Sequence, residues 1–332
     1  MTLTLDLELV DRKLLNLLQT SFPLVPEPFR ETGEMLGISE EEALGRVRRL
    51  KQRHIIRDIN AIFDTRRLGY RSCLVAMSFT PERLHQGALS INRHPGVSHN
   101  YAREGSYYNL WFTLAVLPTE SLEETVQRMA QATGAQEYRV LPTIRFFKIG
   151  VNFDMVQERG AAHQYYVPSQ WDQPEPLTEL EVQAVREFQE DLPLVLRPFD
   201  GMARRLGITL QELFDLARDF QRRGVMRRYS AVLHHRRAGF KFNAMGVWKV
   251  PPERSEEVGG VMATHSAVTH CYERPISPDF PYSHYTMLHA TTRQGCVEAA
   301  REISEQTGIT DYQLLYSTRE YKKMRVRYFI EG

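Results

Sequence analysis

Cysteine is scarce in this sequence, and the few cysteines are not grouped. Cys73, Cys271 and Cys296 are the three cysteines among 332 residues, and they form no CxxC pair. This spacing argues against a disulfide framework and against a structural zinc site. It is typical of a protein that works in a reducing compartment.

Long apolar runs and an excess of one charge are also missing. The N-terminal segment is acidic where a signal peptide needs a basic start, and no run approaches the roughly 18 apolar residues of a membrane span. The 42 lysines and arginines nearly cancel the 41 aspartates and glutamates, so no global positive field recruits nucleic acid or acidic membranes. We therefore expect a cytoplasmic protein without a membrane partner.

What the chain does contain is a repeat of itself. The segment PLV at 23–25 returns at 193–195, and LGI at 36–38 returns at 206–208. Further on, HNYAR at 99–103 returns as HCYER. A fixed period of this length predicts two copies of one unit in tandem. The Pro- and Gln-rich stretch at 155–177 between them is predicted to be a linker.

Each copy is predicted to hold two domains. Apolar residues at helical spacing, followed by a helix with Ser39 as its N-cap and Glu42 to complete a capping box, indicate a winged helix-turn-helix. The order strand, helix, strand, strand, helix, strand then indicates a ferredoxin-like βαββαβ domain. The predicted fold class is α+β, and the predicted domains are 1–65 and 66–154 in the first copy and 178–235 and 236–332 in the second.

The repeated His-x-Tyr-x-Arg motif carries most of the reactive side chains. The first motif is His99, Tyr101 and Arg103, and the second motif is His270, Tyr272 and Arg274. Alternate residues of a strand share a face, so each motif presents its three side chains together. A duplicated set on one face favours a functional role over the structural role usual for one strand histidine. His289 has Ala115 as its nearest match, which predicts that the two sites diverged.

The chain resembles the Lrp/AsnC family of regulators along its whole length, which includes a helix-turn-helix and an effector-sensing domain. The resemblance is carried by LDLELVDRKLLNLLQ and by MLGISEEEALGRVRRLKQRHIIRDINAIF. In such proteins the start of the recognition helix meets DNA. Here that start carries carboxylates, Glu40, Glu41 and Glu42 in the first copy and Glu212 and Asp215 in the second. Phosphate contacts need lysine or arginine, so DNA is not an expected partner.

A narrower resemblance explains this departure. The paired HNYAR and HCYERP segments, with YNLWFT, PYSHYTML, RFFKIGVNFD and STREYKKMRVRYF, look like the two subunit types of sirohaem decarboxylase. The resemblance covers nearly the whole chain apart from the linker. It implies a natural fusion of both subunit types on the Lrp/AsnC fold. It also implies the removal of two acetate carboxyl groups from sirohaem, giving 12,18-didecarboxysirohaem, in haem d1 or alternative haem biosynthesis.

The resemblance implies sirohaem as substrate and no cofactor, since the iron belongs to the substrate. A flat macrocycle with many carboxylates needs cations and an aromatic floor, because unpaired buried carboxylates are costly. The candidate substrate-binding residues are Arg103, Arg274, His289, Tyr282, Tyr285, Trp111, Arg145, Lys148 and Lys322. Two alternatives stay open: Trp111 and Phe112 can instead fill the core between sheet and helices, and Lys322 and Lys323 can be solvated edge residues.

The candidate catalytic residues are the histidines and tyrosines of both motifs, His99, His270, Tyr101 and Tyr272. Decarboxylation must end with a proton on carbon, and a histidine with a near-neutral pKa is a natural acid. His99, His270 or His289 can equally be an axial ligand of the sirohaem iron.

We expect the copies to form an internal pseudo-dimer with facing sheets. A further homodimer and other enzymes of haem or haem d1 biosynthesis are open as partners. A regulator that senses a small molecule or tetrapyrrole is the alternative function, and a haem carrier without turnover is a third.

Overall fold

The computed structural model describes residues 7–20, 22–149, 152–154, 159–161, 173–233 and 242–330. Most of the predicted linker at 155–177, and the start of the predicted domain at 236–332, lie outside these residues. No helix in the described ranges is both long and apolar enough to cross a bilayer.

The first copy has the predicted order of elements. Its helix-turn-helix part comprises α1 (Leu9–Thr20), α2 (Pro28–Leu36), α3 (Glu40–Gln52) and β1 (Ile56–Phe63). The strands and helices that follow are β2 (Arg71–Ser78), α4 (Pro81–Ile91), β3 (Val97–Glu104), β4 (Leu110–Val116), α5 (Leu122–Thr133), β5 (Glu137–Pro142), β6 (Arg145–Ile149), β7 (Asn152–Asp154) and β8 (Arg159–Ala161).

The second copy repeats this order. Its helix-turn-helix part comprises α6 (Glu179–Phe188), α7 (Asp200–Leu206), α8 (Leu210–Arg222) and β9 (Met226–Leu233). Its ferredoxin-like part comprises β10 (Phe242–Trp248), α9 (Ser255–Thr264), β11 (Val268–Glu273), β12 (His284–Ala290), α10 (Arg293–Thr307) and β13 (Tyr312–Lys323).

The helix starts follow local hydrogen bonding. The Ser39 hydroxyl accepts a bond from the Glu42 amide at 3.2 Å, as the N-cap prediction requires. The Glu42 carboxylate does not complete the predicted capping box. It accepts instead from Arg46, at 2.9 Å. The full box forms in the second copy, between Thr209 and Glu212 at the start of α8.

One nine-stranded sheet unites both copies, in the order β5-β2-β4-β3-β13-β10-β12-β11-β6. Strand β13 pairs with β10 of its own copy and then with β3 of the first. The single strand predicted at 138–153 is broken: β5 pairs within its copy, and β6 crosses to β11 of the second. Pro142, which has no N–H to donate, ends β5, and the Ile144 amide already bonds the Glu273 carbonyl at 2.8 Å. Each copy therefore pairs a strand from its C-terminal part, β6 or β13, with a strand of the other copy.

The core is divided by this sheet. Helices α4 and α5 cover the outer face of the first half around Val75, Phe112 and Val126. Helices α9 and α10 cover the second half around Trp248 and Ile303. A third cluster contains side chains of both copies from the inner faces. The inner faces of the two halves therefore pack against each other.

The two helix-turn-helix parts also share one core. Strands β1 and β9 pair with each other, antiparallel, so each copy supplies one strand of the pair that the winged motif needs. The Phe22 amide donates to the Tyr229 carbonyl of the other copy at 2.9 Å. Both rings belong to one cluster that draws on the helices of both copies.

Candidate functional site

A cavity of about 390 Å³ lies between the inner faces of the two halves. Every side chain of the first motif and of the second motif lines it, together with His289, Trp111 and Tyr285. The sequence predicts two diverged sites, but it also predicts that the second hairpin and the first motif line one pocket together. The structure brings both motifs to one shared cavity.

The motifs form two matching stacks. The His99 and Tyr101 rings are 6.4 Å apart and inclined by 25°, and the His270 and Tyr272 rings are 5.9 Å apart and inclined by 23°. The guanidinium of each motif lies over its own tyrosine, at 5.2 Å in the first and 5.0 Å in the second. Such stacking holds cation and ring in one orientation. Alternation along β3 and β11 produces both stacks, as the sequence predicted.

The two arginines connect the copies. Arg103 donates to the Leu315 carbonyl of the second copy at 3.1 Å. Arg274 donates to the Leu141 carbonyl of the first copy at 2.6 Å. Among the described residues, the buried Nε atom of each arginine has no hydrogen-bond partner. Both guanidiniums therefore keep a donor for a ligand. Burial lowers the pKa of Arg103 to about 10 and also lowers that of Arg274, a cost that a bound carboxylate would offset.

Hydroxyl groups hold the histidines. The Ser98 hydroxyl lies 3.0 Å from Nδ1 of His99 and 2.6 Å from the Thr113 hydroxyl. The Thr269 hydroxyl lies 3.0 Å from Nδ1 of His270 and 3.1 Å from Nδ1 of His289. Each histidine is thus fixed through one ring nitrogen.

Burial also keeps these histidines neutral. It lowers the pKa of His99 to about 4, of His270 to about 3 and of His289 to about 4. Nearby positive charge adds to the effect, from Lys323 for His99 and His289 and from the neighbouring His289 for His270. The prediction of a histidine with a near-neutral pKa is therefore wrong for the ligand-free protein.

Cations from the helix-turn-helix parts complete the lining, and the sequence interpretation missed them. Arg66 follows β1 and lies over the Phe146 ring at 4.4 Å. Arg227, on β9, donates to the Asp64 carboxylate at 2.7 Å. The lining among described residues contains five cationic side chains and a single carboxylate, that of Asp64; the cations are Arg66, Arg103, Arg227, Arg274 and Lys323. The repeat aligns Arg57 of the first copy with Arg227 of the second.

The structure does not bring four predicted residues to the cavity: Tyr282, Arg145, Lys148 and Lys322. The Lys322 ammonium donates to the Asn92 carbonyl at 2.9 Å, and the Lys148 ammonium to the His265 carbonyl at 3.1 Å. The alternation of β13 turns Lys323, rather than Lys322, to the lining.

The other two lie near the surface or in the core. Arg145 lies 3.6 Å from the Glu273 carboxylate, with 44% of its side chain exposed. The Tyr282 ring packs 5.0 Å from Phe280. Trp111 has both roles that we considered, since it lines the cavity and also packs 5.7 Å from Phe280. Phe112 belongs mainly to the core under α4 and α5.

The proline-rich loop at 275–281 packs between the inner faces of the two halves. Phe280, near its tip, lies among Tyr108 and Trp111 of the first copy and Tyr285 of the second. The Asp279 carboxylate accepts hydrogen bonds from Tyr108 and, at 2.6 Å, from Arg139. The loop of the second copy is therefore held by side chains of the first.

Comparison with known proteins identifies both kinds of domain. The family model described as "AsnC-like ligand binding domain" matches residues 67–148 and 237–322. The model described as "Siroheme decarboxylase NirDL-like HTH domain" matches residues 11–57 and 181–227. The predicted tandem duplication of these two domain types is confirmed.

Individual proteins match over most of the chain or over one copy. The siroheme decarboxylase of Hydrogenobacter thermophilus is 42% identical over 320 residues, which cover 96% of this chain and 95% of that one. The siroheme decarboxylase beta subunit of Methanosarcina barkeri is 46% identical over 44% of this chain and 97% of its own. The crystal structure of the siroheme decarboxylase NirDL in co-complex with an iron-uroporphyrin III analogue is 37% identical, with a TM-score of 0.75, over 97% of this chain and 95% of that chain.

Proposed function

This chain belongs to the siroheme decarboxylase family, and from this premise we propose that its shared cavity binds sirohaem and that the protein removes carboxyl groups from it. The observation that carries the proposal is the charge of the cavity. Among the described residues, five cations and one carboxylate line a space with aromatic walls, built from both copies. Two of the cations, Arg103 and Arg274, are buried, and this excess of positive charge calls for a polyanionic ligand.

In the proposed binding step, arginines of the cavity pair with the carboxylates of sirohaem, and aromatic rings contact its flat macrocycle. Arginine pairs with carboxylates through a planar fork, and Arg103 and Arg274 each keep a buried Nε donor, with no partner among the described residues. Trp111 and Tyr285 offer ring-sized apolar contacts on matching strands of the two copies. The related NirDL structure was solved with an iron-uroporphyrin III analogue, which supports a tetrapyrrole in the corresponding space.

The chemical step needs one proton for each carboxyl group lost. The bond between the methylene and the carboxyl carbon breaks, carbon dioxide leaves, and the electron pair passes to the macrocycle before it forms the new C–H bond. The macrocycle itself accepts the electrons, so we propose a carboxy-lyase reaction without a further cofactor.

His99 and His270 are the proposed acids, with Tyr101 and Tyr272 to hold their rings. Their low pKa values belong to the ligand-free cavity. Substrate carboxylates bring negative charge beside the imidazoles and raise these pKa values, because an opposite charge favours the protonated form. An axial contact of His99, His270 or His289 with the substrate iron is the competing role for the same rings.

A DNA-binding regulator is not favoured. On α3, Arg46 is held by Glu8, Asp11 and Glu42, at 2.8 to 2.9 Å. On α8, Arg218 and Arg222 pair with acidic residues of the same helix. These arginines are engaged within the protein, whereas phosphate contacts need cations to release counterions.

The partners that we propose follow from the fused chain. The Methanosarcina barkeri beta subunit spans one copy of this chain, so one polypeptide carries what a two-subunit relative divides. We therefore propose that the internal pseudo-dimer is the active unit. Further dimerisation and contacts with other enzymes of haem or haem d1 biosynthesis are separate proposals.

The decisive experiment is anaerobic incubation with sirohaem, followed by mass analysis for the loss of one and then two carbon dioxide units. Loss of both is the expected result. A spectral change without mass loss would instead identify a carrier. A mobility shift of DNA at physiological salt, with no effect on sirohaem, would favour the regulator. Lys322→Gln, outside the cavity, is the control for the effect of losing a lysine.

A further inference from the structure

Thr269 lies between two histidine rings. Its hydroxyl is 3.0 Å from Nδ1 of His270, its neighbour on β11, and 3.1 Å from Nδ1 of His289 on β12. Adjacent residues of a regular strand point to opposite faces. Here the pairing register between β11 and β12 shifts between Val268 and His270. Such a bulge redirects side chains and lets Thr269 and His270 meet.

The proton count of a hydroxyl restricts this contact. A hydroxyl has one hydrogen, and that of Thr269 can go to either Nδ1 or to the Met287 carbonyl, 3.3 Å away. When it goes to one Nδ1, the oxygen can accept an N–H from the other, so that one ring has its Nδ1 protonated and the other has it free. Passing one proton through the oxygen exchanges these states without moving a heavy atom.

The first copy lacks this arrangement. Its pairing register shifts at the same place, between Val97 and His99. Ser98 bonds to His99 in the same way, at 3.0 Å, but its second contact is the Thr113 hydroxyl, at 2.6 Å. Ala115 occupies the position that matches His289. Only the second-copy hydroxyl of this pair bridges two imidazoles.

We propose that His289, Thr269 and His270 form a proton relay that supplies one of the two decarboxylations; this inference rests on the proposed function. His270 gives its Nε2 proton to the carbon that loses its carboxyl group. Its Nδ1 takes the Thr269 hydroxyl proton, and the hydroxyl takes the Nδ1 proton of His289, which is protonated at both nitrogens while substrate is bound. Both rings end neutral, the hydroxyl is restored, and one proton balances one carbon dioxide. Thr269 is thus a positioning residue that acts through His270.

Thr269→Val and Thr269→Ser test the relay. Single-turnover reactions followed by mass analysis give the rates of both carboxyl losses, and an absorption titration gives sirohaem affinity. We expect Thr269→Val to slow one loss by about 10²-fold, the lower end of general-acid effects, so that a monodecarboxylated product accumulates while affinity is unchanged. Thr269→Ser should keep the wild-type rate because it keeps the hydroxyl. Thr32→Val is the control, since it removes a buried hydroxyl that bonds the Pro28 carbonyl inside α2.

A double variant keeps the test decisive if Thr269→Val packs poorly. Members of one relay act as a unit, so Thr269→Val with His289→Ala should be no slower than the slower single variant. The relay alone would be overturned if the rate losses of the two single variants multiplied in the double variant. It would also be overturned if Thr269→Ser were as slow as Thr269→Val, or if Thr269→Val left both rates unchanged. A wild-type protein that loses no carboxyl group would overturn the proposed function and the relay with it.

Discussion

The two copies retain the same His-Tyr-Arg stack but differ in what surrounds it. In the first copy, the Ser98 hydroxyl connects His99 to the Thr113 hydroxyl by hydrogen bonds. In the second copy, the Thr269 hydroxyl connects His270 to a further histidine, His289. The first hairpin turns within 105–109, whereas the second extends into the loop at 275–281. The duplicated part lines the cavity, and the diverged parts include the residues that we propose as a proton relay.

This difference bears on a reaction that occurs twice on one substrate. A symmetric cavity would accept a macrocycle in two equivalent orientations. Here His289 lies on one side only, so the orientations differ in energy and in proton supply. If His99 and His270 act as the proposed acids, a single cavity with two unequal acids suits two successive losses from one bound molecule.

Removing each motif histidine should have the largest effect, and it tests whether the two copies have different roles in the reaction. We expect His99→Ala and His270→Ala each to lower a rate of carboxyl loss by about 10²–10⁴-fold with little change in affinity. If the copies serve different groups, the two variants should accumulate different monodecarboxylated isomers, separable by chromatography. A ring that instead ligates the iron would shift the absorption spectrum of the complex when removed.

The control for these variants is His85→Ala, because that ring lies against Tyr321, 5.7 Å away, and does not line the cavity. Normal turnover by both single variants and by the double variant would end the catalytic assignment of the motifs. The fold would be unaffected.

The dependence of stability on pH also tests the comparison, because the second copy carries two of the three described histidines that line the cavity. Their pKa values fall from 6.5 to between about 3 and 4 on folding. Below pH 6.5 these histidines become protonated in the unfolded chain but stay neutral in the folded chain. The free energy of unfolding therefore declines as pH falls towards 4. The slope approaches about 1.4 kcal/mol per pH unit for each histidine as the pH falls to about one unit or more below 6.5.

Urea unfolding of the ligand-free protein between pH 6.5 and 5 measures this slope. The double variant His270→Gln, His289→Gln should lose twice as much of it as His99→Gln. Slopes are compared rather than absolute stabilities, so a general packing cost does not matter. Equal slopes in all variants would contradict the buried, neutral state of these rings.

The arginines test the part of the comparison that is conserved between the copies. Arg103→Met and Arg274→Met should each weaken sirohaem binding by about 10- to 100-fold, the value of a hydrogen bond to a charged group. Arg103→Lys and Arg274→Lys should recover little of the lost affinity, because lysine lacks the planar fork of arginine. An absorption titration measures the affinity, with Lys322→Met as control. A large effect in one copy alone would mean that the two sides of the macrocycle are held differently.

The sequence predicted the fold well because a repeat and the period of strands are local signals. Alternation along a strand was enough to group His99, Tyr101 and Arg103. The crossing of β6 and β13 was not predictable, since it depends on which edge each strand meets. Arg66 and Arg227 were missed for the same reason: they reach the cavity only because β1 and β9 pair between copies.

The histidine pKa values could not be read from residue types either. A histidine near arginine and lysine in the sequence gives no measure of its burial, and burial is the main cause of these shifts. The bulges at Ser98 and Thr269 are likewise properties of the assembled sheet. The chemistry of the site thus depended on pairing details beyond the repeat.

The smallest predicted effect concerns the loop at 275–281, which has no equivalent in the first copy. Tyr108 and Arg139 hold Asp279 across the two copies, and the Tyr108 hydrogen bond is the main cause that lowers the Asp279 pKa. The carboxylate is 42% exposed, so solvent screens the pair and its contribution is about 0.2–1 kcal/mol. Asp279→Asn should therefore lower the free energy of unfolding by about 1 kcal/mol at most, measured by urea unfolding, and leave the decarboxylation rate unchanged. Glu137→Gln is the matched control, because it removes a more exposed partner of the same arginine, 3.4 Å away. The buried Phe280 ring, rather than the ion pair, then holds the loop in place. A stability loss of several kcal/mol in Asp279→Asn would reverse that conclusion and make the acidic contact the main bond between the loop and the first copy.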